Sequence, residues 1–269
     1  MDVSGQRFEF GQNWKKYIES SFSQEKVEVS KSHLLGFLRC TDFQGLTFLD
    51  IGCGSGLHSL AAIQLGAKSV ISFDYDPKSV EATSILYNKH AGKPKHWKIM
   101  QASVLDEPFM ASLPKADIVY SWGVLHHTGD VWRAIRNAAL PVKDGGLFYI
   151  ALYSADMQKD PPPEFWIDVK RRYLAASKLE KRKMEWWYIW RFHMGCNISA
   201  LRRVLRDIIE YKKNRGMSYF TDIRDWLGGW PMEFCYDNEV KQFVENQLGM
   251  EAVNIKTGEA NTEFLFKRT

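Results

Sequence analysis

Thr47-Phe48-Leu49-Asp50-Ile51-Gly52-Cys53-Gly54-Ser55-Gly56 is the stretch on which the fold of this chain turns. An apolar run stops at an acidic residue and gives way to three glycines at alternate positions, followed by a helix-like segment, Leu57–Leu65. Glycine reaches backbone dihedrals closed to other residues, and its missing side chain lets a ligand approach the main chain. Eighteen residues after Gly56, Asp74 closes the run Ile71-Ser72-Phe73-Asp74, where a second parallel strand is expected to end. A carboxylate in that place accepts hydrogen bonds from ribose hydroxyls. Strand, glycine turn, helix and acidic strand end read together as a nucleoside-cofactor site.

Working outward, the pattern alternates. Strands are expected at Thr47–Ile51, Ser69–Phe73, Trp97–Gln101, Asp117–Ser121 and Leu147–Tyr153, the last after an Asp144-Gly145-Gly146 turn. Helices fall between them near Leu57–Leu65, Lys78–Lys89 (opened by Pro77) and Val131–Ala139. Strands separated by helices read as an α/β fold with a parallel, doubly wound sheet. Before it, residues 1–46 read as an N-terminal helical cap, with a helix at Val27–Leu38 and an aromatic cluster of Phe8, Phe10, Trp14 and Tyr17. After it, residues 154–233 break the alternation with charged amphipathic stretches, among them Phe165–Leu179 and Ile198–Lys213. Residues 234–269 return to pattern with a helix near Asn238–Gln247 and runs Glu251–Lys256 and Thr262–Lys267, joined by a short Gly/Asn turn as an antiparallel hairpin.

Composition narrows the class. A chain of 269 residues, 45% of them apolar, has room for one large domain or a domain with a sizeable insertion. It contains no run of 18 or more apolar residues, so no transmembrane helix is expected, and no membrane insertion. The opening residues, MDVSGQRFEFGQNW, lack the apolar centre of a secretory leader. Cys40, Cys53, Cys196 and Cys235 are scattered without a CxxC pair, which points to a reducing, cytoplasmic setting. A formal charge of +4 permits a nucleic-acid partner without calling for one. With no HExxH and no carboxylate–histidine cluster, no metal is expected.

The GxGxG order, with Asp50 two positions before the first glycine, resembles motif I of the class I, Rossmann-like S-adenosylmethionine (SAM) methyltransferases. The dinucleotide pattern GxGxxG places its third glycine one position later. The resemblance covers Leu46–Tyr153 and, more loosely, the terminal hairpin. It implies SAM as cofactor, cradled at Gly52, Gly54 and Gly56, with Asp50 near the methionine ammonium and Asp74 on the ribose. It also implies a seven-stranded, mostly parallel sheet of order 3-2-1-4-5-7-6 ending in an antiparallel hairpin, residues 47–153 and 234–269 forming the core and 154–233 a helical insertion after strand 5. Gln101–Asp106 resembles the adenine loop; Ser103 stands where the family commonly has Asp, leaving the Val104 N–H as backbone contact. Asp76 and Asp106 read more simply as turn or capping residues.

Asp117–His127 is similar to the segment after strand four in small-molecule methyltransferases of the ubiquinone/menaquinone type, which implies backbone contacts from Ser121 and Trp122 to the methionine portion. DNA amino methylation uses Asn/Asp-Pro-Pro-Tyr/Phe at that strand end, and C5 methylation a Pro-Cys pair. Ser121-Trp122-Gly123-Val124 is neither, so DNA is not expected as a partner.

In such a reaction the cofactor carries the hard chemistry, and the protein aligns an acceptor, excludes water and takes up a proton. His127 and His126 are the base candidates, with His127 favoured because it stands further along the loop. The insertion is expected to be the acceptor lid. It holds 16 Lys/Arg against 11 Asp/Glu, a net +5 in a chain of net +4. Such a field suits a small anionic metabolite or sugar-derived acceptor methylated on oxygen. Within Arg215–Pro231, Tyr219, Arg224 and Trp230 are the candidate acceptor contacts: a hydroxyl contact, an anion clamp and an apolar wall. N-methylation, RNA methylation and SAM binding without catalysis remain open, and the oligomeric state is unspecified.

Overall fold

The computed structural model describes residues 7–215, 219–258 and 260–269. Two helices, α1 (Phe10–Ser21) and α2 (Gln24–Leu38), lead into β1 (Thr47–Ile51), α3 (Leu57–Gln64), β2 (Ser69–Asp74), α4 (Pro77–Lys89) and β3 (Trp97–Gln101). Then come α5 (Glu107–Ser112), β4 (Ala116–Trp122), a single 3-10 turn (Leu125–His127), α6 (Val131–Ala139) and β5 (Val142–Tyr153). The insertion supplies α7 (Pro163–Ala175), α8 (Lys178–Tyr188), α9 (Leu201–Arg215) and α10 (Tyr219–Gly228). The chain closes with α11 (Asp237–Leu248), β6 (Met250–Thr257) and β7 (Asn261–Arg268).

The seven strands form one sheet in the order β3-β2-β1-β4-β5-β7-β6, parallel except where β7 pairs with β5 and β6. Alternate residues of β1 feed two cores: Leu49 and Ile51 meet α6 and α11, while Phe48 meets α2 and α3. A strand covered on both faces is apolar throughout, which is why TFLDI reads as a continuous run. Helix starts follow local chemistry. Asp76 accepts from the Lys78 N–H, Asp106 from Phe109 and Asp130 from Arg133, as N-cap carboxylates do.

One expectation needs correction, and two helical features go beyond what the sequence specified. The segment Asp144-Gly145-Gly146 is not a turn before β5 but part of it: the strand begins at Val142, and the register with β4 shifts between Ala116 and Ile118. Gly145 takes φ +73° in that irregularity, so glycine marks a bulge here rather than a chain reversal. The stretch Phe165–Leu179 is two helices, because Ser177 and Glu180 form a capping box that restarts the helix as α8. Finally α5, only six residues long, carries too little periodicity to be read in advance.

The insertion leaves and returns at adjoining points. Ser154 and Cys235 form a parallel bridge; the Ala155 N–H donates to the Cys235 carbonyl at 2.8 Å and the Cys235 N–H to Tyr153 at 3.0 Å. Its helices pack around their own apolar centre of Trp166, Val169, Tyr173, Ile189, Val204, Ile223 and Leu227. The quoted segment Arg215–Pro231 includes residues 216–218, and the hairpin turn includes Glu259; these lie outside the described residues.

Candidate active site

The turn after β1 is built from bare backbone. Gly52, Gly54 and Gly56 take φ of +76°, +53° and +79°. A Cβ at Gly52 would fall 2.4 Å from Val124, and one at Gly54 would fall 3.1 Å from the Trp14 indole. The loop is thus pressed on one side by the turn after β4 and on another by α1. The Gly52 and Cys53 N–H groups both donate to the Phe73 carbonyl, at 2.8 and 3.0 Å, which holds the loop against the end of β2.

Asp74 stands at that strand end. Its carboxylate accepts from the Gly54 N–H at 3.0 Å and the Asp76 N–H at 2.9 Å. Burial nonetheless pushes it up to about 6, so it is a desolvated acceptor with lone pairs to spare. Asp50 is turned inward instead. It is 2% exposed and accepts from Ser59 Oγ at 2.5 Å, in a chain that continues through Ser72 to the Trp97 indole N–H. Burial pushes Asp50 up to about 7. The carboxylate that the resemblance sets near the methionine ammonium is thus a buried group behind the glycine loop. Ser121 is likewise occupied, its hydroxyl donating to the Ile51 carbonyl at 3.0 Å. Ser103 Oγ accepts from the Leu105 N–H at 3.2 Å in its turn, Val104 is buried, and the Trp122 indole N–H donates to Glu263.

The two adjacent histidines are separated by their partners. His127 Nδ1 lies 2.7 Å from the Pro231 carbonyl, which only accepts. The proton therefore sits on Nδ1, and Nε2 carries the lone pair. Burial pulls His127 down to about 3, so the ring is neutral across the physiological range. His126 has the opposite tautomer: its Nδ1 accepts from the Tyr153 N–H at 3.3 Å. Its Nε2 is buried without a partner among the described residues. The last residues of the lid hold this turn, since the Glu233 N–H donates to the His126 carbonyl at 2.9 Å and Gly229 leaves the His127 ring room that a Cβ would take. From the N-terminal side, Arg7 donates to the Thr128 carbonyl at 2.7 Å and the Phe8 N–H to Trp230 at 3.0 Å.

His127 opens onto a cavity of about 490 Å³ between the sheet edge and the lid. Aromatic wall comes from Phe10, Tyr153, Trp166 and Trp226, and charge from Lys170, Asp160, Asp222 and Asp225. Lys170 is 1% exposed, lies 4.5 Å above the Trp226 ring and donates to the Trp226 carbonyl. Burial pulls its ammonium down to about 7 against the opposing pull of Asp225. Burial in turn pushes Asp225 up to about 7, although Asn13 donates to it at 2.5 Å.

The lid residues singled out from sequence stand elsewhere. Arg224 forms an ion pair with Glu185, Nε to Oε1 3.0 Å, and Glu185 also takes the Tyr173 hydroxyl at 2.8 Å. Tyr219 is 3% exposed in the lid's own core, its hydroxyl 2.7 Å from His193. Trp230 lies under the Arg171 guanidinium at 5.2 Å. None of the three is in the cavity wall. The helix that carries Tyr219 and Arg224, α10, does reach it through Asp222, Asp225 and Trp226. The sequence placed these within Arg215–Pro231, and Lys170 within the basic run Lys170-Arg171-Arg172, but gave none of them a site role of its own, because an apolar–charged alternation is indistinguishable from a solvated helix.

Residues 23–208 match the family described as Methyltransferase domain. The chain is 34% identical over 141 residues to the ubiquinone biosynthesis O-methyltransferase of Rhizobium rhizogenes, covering 52% of this chain and 54% of that protein. It spans about half the length of the curated relatives it matches. Among solved structures it resembles magnesium protoporphyrin IX methyltransferase from Synechocystis with bound SAH, at a TM-score of 0.51 and 14% identity, covering 99% of this chain and 91% of that one. A putative S-adenosyl-L-methionine-dependent methyltransferase from Methanococcus maripaludis superposes at a TM-score of 0.53 with 15% identity, covering 100% and 97%. At these identities the structural likeness establishes the fold.

Proposed function

This chain belongs to the methyltransferase-domain family, and from that premise we propose that it transfers a methyl group from SAM to an oxygen of a small molecule held beneath the lid. The residues present fit the cofactor. Three glycines keep side chains out of the cradle, Trp14 lies over it, and Asp74 offers a desolvated carboxylate for ribose hydroxyls. When bound, SAM supplies an electrophilic methyl group. What the chain's own residues do is bind the acceptor, exclude water and manage its proton. Both walls that press on the glycine loop, α1 and the turn after β4, continue into the cavity through Phe10 and His127. The acceptor site therefore adjoins the cofactor site.

The observation that carries this reading is the His127 tautomer: Nδ1–H held by the Pro231 carbonyl leaves an Nε2 lone pair on a ring that lines a cavity walled by both aromatic and charged side chains. His127 takes the acceptor's proton as the oxygen attacks. Its low basicity suits an oxygen whose developing charge is stabilised nearby, and Lys170 is the one cation in the described cavity wall. The anionic character expected of the acceptor thus narrows to a locally anionic oxygen facing Lys170. A cationic amine is the second reading, favoured by the three wall carboxylates Asp160, Asp222 and Asp225. Four free cysteines accord with a cytoplasmic setting. Incubation with methyl-labelled SAM and a metabolite extract tests the reading: label on a hydroxyl-bearing small molecule supports it, label on amines favours the second, and label in RNA or in no fraction overturns both.

A further inference from the structure

Four aliphatic side chains that the lid exposes fall in a line, apart from the isolated Leu179 at the start of α8. Ile198, Leu201, Leu205 and Ile209, which are 71%, 41%, 50% and 76% exposed, run along a short 3-10 turn and on into α9. Intervals of three, four and four residues put them on one helical flank. Val204 and Ile208 point to the lid's core, so α9 has one apolar face packed and a second one turned outward. Arg202, Arg203 and Arg206, all exposed, border the outward flank. The Arg203 guanidinium donates to the His193 carbonyl at 2.8 Å, which draws the turn after α8, with its exposed Trp190, alongside α9.

We propose that this flank docks the protein on the surface of an anionic lipid bilayer, with the aliphatic line at the headgroup–acyl boundary and the arginines on lipid phosphates. Three observations choose this occupant. The flank is that of a single helix, with aliphatic residues on one side and guanidinium groups beside them, the arrangement of helices that lie in a membrane interface. Arginine matches phosphate oxygens in pairs, and tryptophan favours the same interfacial depth. The lid carries 16 Lys/Arg against 11 Asp/Glu, so a second copy of this face would set like charge against like. No helix among the described residues is long and apolar enough to cross a membrane, so the contact is with one leaflet. The proposal does not depend on the methyl-transfer reading. The two are nonetheless linked in space, because Tyr188 and Phe192, at the end of α8 and just beyond it, help to line the cavity.

Cosedimentation with vesicles tests it, using phosphatidylcholine alone and an equimolar mixture with phosphatidylglycerol. The full chain is expected to pellet with the mixture, to be released by salt, and to stay in solution with phosphatidylcholine alone. The double variant Leu205→Glu/Ile209→Glu should bind at least about tenfold more weakly at an unchanged Tm, since both side chains are exposed. Arg202→Glu/Arg206→Glu should bind as poorly. If the aliphatic variant loses thermal stability, a polarity-sensitive label on the exposed Cys196, in a Cys40→Ser background, reports insertion in the otherwise natural lid. Failure to pellet with anionic vesicles, equal pelleting of both glutamate variants and the parent, or self-association that the same substitutions abolish would each overturn the proposal.

Discussion

The glycine loop at the sheet edge and the lid above it are both rich in strongly shifted ionisable groups, yet they are built by opposite means. The loop, the proposed cofactor site, is built of main chain: three glycines at positive φ, pinned by hydrogen bonds to Phe73 and roofed by Trp14. The cavity below the lid, the proposed acceptor site, is built of side chains drawn from distant places, Phe10, His127, Tyr153, Lys170 and Asp225. A backbone site needs particular residues in a particular order, so it leaves a local mark. A side-chain cavity needs only that some residue of the right kind arrive from each wall, and many sequences satisfy that.

The sharpest way to break the comparison is at His127, where the two regions meet. His127→Ala should lower kcat by about 10²–10⁴-fold, the usual range for loss of a positioned proton acceptor, while SAM affinity measured by calorimetry stays near that of the parent. Equal loss in both would mean that the turn after β4 serves the cofactor rather than the acceptor. Asp74→Ala should do the reverse. Loss of a charge-assisted hydrogen bond to ribose is worth about 1.5–3 kcal/mol, or roughly 10–150-fold in Kd. Unchanged SAM affinity would remove Asp74 from the cofactor site.

Arg224 tests whether lid charges act on substrate or on the lid itself. Half exposed and paired with the buried Glu185, it is expected to behave structurally. Arg224→Gln should cost about 1–2 kcal/mol of stability by thermal melting, with the acceptor KM unchanged. A raised KM at constant Tm would restore the anion clamp expected from sequence.

The smallest effect is in pH. Burial raises Asp74 from 3.8 to about 6, so SAM affinity should weaken as pH falls through about 6, and Asp74→Asn should flatten that limb. The stability of the free protein runs the other way. Between 3.8 and about 6 the folded state holds a proton that the unfolded state has released, so this group's contribution to stability declines as pH rises across that window.

Legibility followed the same division. The bounds of β1, β3 and α6 agree to the residue with those expected, because each is a short apolar run or amphipathic segment bounded by turn or capping residues. Asp76 and Asp106 were readable as caps for the same local reason. In the lid, Tyr219, Arg224 and Trp230 stood out for their side-chain chemistry, but the phase of α10 turned Tyr219 and Arg224 to partners within the lid and brought Asp222, Asp225 and Trp226 to the cavity, while Trp230, beyond the helix, stacks under Arg171. Phase relative to a neighbouring helix is not a local property.

What the sequence determined by itself is the strand–glycine–helix unit, the parallel sheet it implies, and the acidic residue at the next strand end. Each follows from dihedral limits and burial pattern over a few consecutive residues. Tertiary structure alone decided that Asp50 turns inward to Ser59 and that Pro231, 104 residues further along, sets the proton on His127. It alone sank Lys170 beside Trp226 as the cation of the described cavity wall. These are contacts between segments far apart in the chain, and the tautomer and charge of a side chain depend on which partner the fold delivers and how much water it removes.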